Sequence, residues 1–136
     1  MKIKKLRHID KLEALNVPKS DMVIYGRAPL VLRGLKGKNE DLDVLVKEDL
    51  WNKLKVDYPN NINGDYIDID GVSFTYRSTD FFEPMDNIMK KSDIIDGYHV
   101  MNLEETVKWK EKTGKEKHLE DASLIRNYLG KLEEKL

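Results

Sequence analysis

Apolar residues recur near the start of the chain as Ile3, Leu6, Ile9, Leu12 and Leu15. This near-helical spacing predicts an amphipathic opening helix that ends near Pro18. Met22–Tyr25 is a short unbroken apolar run between Asp21 and Gly26 and reads as a buried strand. Residues 29–35 follow as a short helix, with Pro29 in the first turn, where its missing N–H costs no intrahelical bond. A polar turn at Gly34, Gly37, Lys38 and Asn39 leads to a second strand, Leu42–Val46. Residues 47–55 then read as a helix with Leu50, Trp51 and Leu54 on one face.

The stretch YIDIDGVSFTY contains a phase shift. Ile67 and Ile69 precede Gly71, and Val72 and Phe74 follow it, so one flat strand would send the two pairs to opposite faces. A two-residue Asp70-Gly71 hairpin removes the conflict. It pairs Ile69 with Val72 and Ile67 with Phe74 on the core side, and sets Asp68 opposite Ser73 on the polar side. Further on, residues 80–94 have a helical pattern with Phe81, Phe82, Met85, Ile88 and Met89 as the apolar face, which reads as core rather than as a ligand groove. A short strand is expected over 98–101. Asn102 then caps a helix from Leu103 with Glu105 in capping-box position, and Gly114 ends it. A last helix carries Leu119, Leu124, Ile125, Tyr128 and Leu129 before GKLEEKL trails into solvent. These elements predict one α+β (α/β-like) domain over residues 1–136, a mixed β-sheet flanked by helices.

Composition narrows the classes. The chain has 136 residues, 40% hydrophobic and 36% charged, the size of one ordinary domain with a heavily charged surface. Lys plus Arg number 24 against 25 Asp plus Glu, so the total charge gives no argument for a generic nucleic-acid or membrane-surface binder. Absence of cysteine excludes disulfides, thiolate zinc sites and cysteine nucleophiles. No signal-peptide pattern or membrane-length apolar run is found, so no membrane partner and a cytoplasmic location are expected.

The candidate chemistry lies at the second strand. Asp41 and Asp43, two apart, point to one face while Leu42 and Val44 begin the opposite one. Two adjacent carboxylates repel unless compensated, and a hard divalent cation such as Mg2+ does this with one or two carboxylates plus substrate phosphates. A third carboxylate from a neighbouring strand, with Asp68 best placed, would support an in-line phosphoryl displacement. The same Asp-x-Asp also suits a solvated strand face. Context favours the metal: strand, Gly26, helix N-terminus and second strand put unpaired backbone N–H groups next to the aspartates.

At these residues, VIYGRAPLVLRGLKGKNEDLDVLV resembles the nucleotidyltransferase superfamily signature of strand, glycine, helix and Asp-x-Asp strand. The segment IIDGYHVMNLEETVKWKEKTGKEKHLEDASLIRNYL is similar to the tail of small bacterial nucleotidyltransferase-like proteins, including abortive-infection and toxin–antitoxin relatives. The resemblance implies a nucleotidyltransferase fold in which Asp41, Asp43 and Asp68 hold magnesium. Asp68 would also act as general base, and Gly26 would let the triphosphate approach. Lys110 would reach phosphate or nucleotide, with Lys117 and Asp121 shaping the far wall. The implied reaction moves a nucleoside monophosphate from a nucleoside triphosphate to an acceptor hydroxyl on RNA, protein or a small molecule.

Three positions depart from that pattern. Arg27 stands where serine or glycine is usual, able to bind phosphate bidentately or to fill the pocket. His118 stands where aspartate is usual, suited to acid–base work or simply to a charged surface. The third acid is open between Asp68 and Asp70, with Ser73 a further occupant of that position. The alternative reading is therefore an inactive member that binds a nucleotide, nucleic acid or protein. Lys110, between Lys108 and Lys112, also suits plain solvation, Asp121 an ion pair with a nearby lysine, and Trp109 helix packing. His8 and His99 have no partner at metal-ligand spacing.

Overall fold

The computed structural model describes residues 2–76 and 84–135, so Phe81 and Phe82 lie outside the described residues. The fold is mixed α+β. Seven strands among the described residues form one sheet: β1 Met22–Tyr25, β2 Leu42–Val46, β3 Ile62–Asn63, β4 Tyr66–Ile69, β5 Val72–Thr75, β6 Asp93–Ile95 and β7 Tyr98–Val100, in the order β3-β4-β5-β2-β1-β7-β6. β1 and β2 are antiparallel at the centre, flanked by the parallel neighbours β7 and β5, and antiparallel hairpins complete both edges.

Helices α1 Ile9–Ala14, α2 Ala28–Leu32, α3 Glu48–Asp57, α4 Met85–Lys91, α5 Leu103–Thr113 and α6 Glu116–Glu134 cover the sheet. The two-residue alternation of strands decides what each face meets. Leu42, Val44 and Val46 join Ile24, Phe74 and Val100 in the main core, closed by Leu12 of α1 and by Trp51 and Leu54 of α3. On the opposite face Val23, Tyr25 and Leu45 pack with Ile88 of α4 and Met101. A third cluster joins Leu30 of α2 to Leu103 and Val107 of α5 and to Ala122 and Ile125 of α6. No described helix is long and apolar enough to cross a membrane.

The hairpin forms as its phase shift requires, with Ile69 opposite Val72, Asp68 opposite Ser73 and Ile67 opposite Phe74. Asp70 and Gly71 both take positive φ, 50° and 88°, as a two-residue turn of this hand demands. Asn102 accepts from Glu105 N–H at 2.7 Å, and Gly114 closes α5 in the left-handed conformation.

Four expectations change. The opening segment is a 3₁₀ turn at Lys2–Lys5 followed by α1, broken at His8 with φ 70°. Its apolar residues repeat every third position, and that stripe would drift around a continuous α-helix of about 3.6 residues per turn. The break keeps Ile3, Leu6, Ile9 and Leu12 all buried. The helix expected to reach residue 94 stops at Lys91, and β6 pairs with β7 through an Asp96-Gly97 turn, again with positive φ at both residues. β3 was not expected; its two residues, Ile62 and Asn63, are both exposed. At the far end α6 runs on through Gly130 to Glu134.

Candidate active site

β1 ends at Gly26, and β2 runs back antiparallel so that Tyr25 lies directly opposite Asp43. Cross-strand partners share a face, which sets the Asp43 carboxylate over the turn leaving β1. Gly26 has φ +78°, and a Cβ there would overlap the Asp43 Oδ2 oxygen, so both its conformation and the close approach require glycine. A cleft of about 150 Å³ opens here, with Glu40, Asp41 and Asp43 on the sheet side and Lys110, Lys117 and His118 on the helical side.

Electrostatics differ sharply between the two walls. Burial, then the neighbouring Asp41 charge, raises the Asp43 pKa to about 6; Lys110 and Lys117 oppose the rise and Asp68 adds to it. The half-buried acid is therefore costly to ionise without a nearby cation. Opposite it, Lys110 and Asp121 are 1% and 0% exposed and meet at 3.0 Å. Burial lowers the Lys110 pKa, while the Asp121 hydrogen bond and charge resist. For Asp121 burial pushes upward, but the Lys110 bond and charge, with Arg27 behind them, hold the acid below its ordinary value.

Asp121 gathers more than one cation. Arg27 Nε donates to its Oδ2 at 3.3 Å, and Lys36 Nζ stands 3.5 Å from its Oδ1, an oxygen that makes no hydrogen bond among the described residues. Arg27 thus lines the cleft from the cap of α2 while tethered to the far wall. α2 has only five residues, so the positive character of this end comes chiefly from side chains.

His118 lies between the walls. Burial and then Lys110, Lys115 and Lys117 depress its pKa to about 4. Its ring is 5.0 Å from that of Trp109, which meets Tyr25 edge-on at 5.2 Å, so Trp109 packs as expected. Thr113 Oγ1 donates to the Lys110 carbonyl at 2.8 Å, which leaves His118 Nδ1 to donate to Thr113 Oγ1 at 2.6 Å.

Of the sequence candidates, Gly26, Arg27, Asp41, Asp43, Lys110, Lys117 and Asp121 all line this one cleft. Asp68 does not. Ser73 of β5 is the register partner of both Asp43 and Asp68, so Asp68 stands two strands from Asp43, roughly 10 Å at ordinary strand spacing. Its carboxylate accepts from Ser73 Oγ at 2.8 Å and Asn63 Nδ2 at 3.4 Å. Asp70 sits exposed in the turn. No three His, Cys, Asp or Glu residues converge as a metal cluster among the described residues.

Sequence reasoning missed Glu40 and Lys36 and undervalued Lys110. One signal was present. Leu103, Thr106, Val107 and Lys110 fall at helical spacing on one buried face, and Asp121 adjoins Ala122 and Ile125 in the same way. A lysine and an aspartate on the core stripes of consecutive helices announce a buried pair. No protein-family model, curated protein or solved structure matches this chain.

Proposed function

We propose that this chain has a nucleotidyltransferase fold and is a magnesium-dependent nucleotidyltransferase, moving a nucleoside monophosphate from a nucleoside triphosphate to an acceptor hydroxyl. The observation that carries this reading is the Asp43 carboxylate, packed on bare Gly26 backbone beside Asp41 and facing Lys110 and Lys117 across the cleft. Two carboxylates suit magnesium, which completes its shell with water and phosphate oxygens rather than with an all-protein cage. When bound, it would neutralise the aspartates and the charge on the phosphates.

The chain's own residues supply the rest. Gly26 leaves room for a phosphate against the backbone. Arg27 and Lys117 offer donors to the outgoing pyrophosphate. Lys110, held by Asp121, keeps a fixed positive charge in the wall. The acceptor hydroxyl gives its proton to water, its oxygen bonds to the α-phosphorus, and the bond from that phosphorus to the pyrophosphate oxygen breaks, so pyrophosphate leaves.

A second reading is favoured by one observation: Asp68, the expected third acid, is bonded to Ser73 and Asn63 outside the cleft. On that reading the same site binds a magnesium nucleotide without transferring it.

Thermal unfolding with ATP or GTP and magnesium tests both. A metal-dependent rise in midpoint, lost in the Asp41→Ala plus Asp43→Ala variant, is expected. Release of pyrophosphate with transfer of labelled nucleotide selects the enzyme. Binding without release from any of the four triphosphates selects the binder, and no metal-dependent binding removes both.

A further inference from the structure

The charge of this chain is distributed far less evenly than its total suggests. Residues 1–38 hold 10 Lys and Arg against 3 Asp and Glu, whereas residues 39–136 hold 14 against 22. The fold brings the two most basic stretches of the first part together, the opening segment and the loop RGLKGK at residues 33–38. Asn39, 1% exposed, is the clamp. Its Oδ1 accepts from Arg7 N–H at 3.0 Å, and its amide donates to the carbonyls of Arg7 at 3.2 Å and Asp41 at 3.1 Å.

Beside this clamp runs an open groove of about 490 Å³, lined by Lys5, Lys36, Val31 and Leu35, with bare backbone at Gly34 and Gly37. Lys36 borders the candidate active site, because its ammonium stands 3.5 Å from the Asp121 carboxylate. Lys5, Arg7 and Lys38 are exposed. Among the described residues no ion pair neutralises these three side chains.

We propose that this basic ledge is a nucleic-acid-binding surface that leads a strand's phosphodiester backbone along the groove to the Asp41–Asp43 cleft. Two lysines in an open groove, with Arg7 and Lys38 exposed on the segments that form it, match a repeating polyanion, and each phosphate neutralised releases a counterion. No aromatic side chain is among the described residues lining the groove, so recognition is of the backbone rather than by base stacking. What the strand does on arrival, as hydroxyl acceptor, rests on the transferase reading. Binding does not.

The test is fluorescence anisotropy with single-stranded RNA and DNA oligonucleotides of about 20 residues, in chelator and without nucleotide, at about 50 and 200 mM KCl. Vesicles containing phosphatidylserine serve as the competing anionic surface. Binding that weakens steeply with salt is expected, with a loss of about tenfold or more in Lys5→Glu/Arg7→Glu/Lys38→Glu. The glutamine counterpart guards against misfolding and should show a smaller loss in the same direction. Binding to either strand supports the ledge, and the preferred strand names the acceptor. Equal affinity of the parent and the glutamate variant, salt-insensitive binding, or capture by vesicles but by neither oligonucleotide would overturn it. If oligonucleotides bind as expected while magnesium nucleotide gives no thermal shift, the ledge stands and the transferase reading falls.

Discussion

Asp43 makes the most direct claim at the scale of single residues. Its folded pKa of about 6 lies above the ordinary 3.8, so the folded state holds this proton more tightly than the unfolded chain. The associated stability is complete below about 3.8 and is lost as pH rises through about 6. Asp43→Asn is therefore expected to be more stable than the parent at pH 7.5, by up to about 3 kcal/mol, and nearly equal at pH 4. Denaturant midpoints at the two pH values check this; an unchanged difference would mean the acid is not strained in the folded chain. Asp121 behaves oppositely. Removing it strands Lys110, Arg27 and Lys36 together, whereas removing Lys110 leaves the aspartate two remaining cations. Asp121→Leu should cost about 3–5 kcal/mol, and Lys110→Met clearly less, by urea unfolding. At Gly26, alanine would meet the Asp43 carboxylate in a strained backbone, so Gly26→Ala should abolish metal-dependent nucleotide stabilisation.

Among the elements, caps and turns set the boundaries. Asn102 accepts from Glu105 N–H and donates to the Lys91 carbonyl, tying α5 to the end of α4. Asn102→Ala should destabilise by about 1–2 kcal/mol, read from denaturant midpoints. The elements legible in the sequence were those with local causes. Asp70-Gly71 revealed its hairpin through a break in alternation, and Asn102 and Gly114 revealed the ends of α5. The Asp96-Gly97 turn carried the same dipeptide but was hidden, because Ile94 and Ile95 extend the helical pattern of α4. Which strands neighbour β1 was not legible at all. Ile24 pairs with Val100, far along the chain, and no local pattern encodes such a partner. The site was legible to the same extent: Asp41, Asp43 and Gly26 stand together in sequence, whereas the distance of Asp68 follows from β5 inserting between β2 and β4.

Taken whole, the molecule builds the two walls of one cleft from opposite ends of its chain. Gly26, Arg27, Asp41 and Asp43 come from the first third, and Lys110, Lys117 and Asp121 from the last. The two groups meet only because β7 docks beside β1 and delivers α5 and α6 behind it. This order matters during synthesis. A ribosome exposes the aspartate pair long before it makes the lysines that face them, so the nascent protein passes through a stage with half a cleft. A ligand that needs both walls cannot assist folding in that interval, and the cleft is complete only when α5 and α6 pack against α2.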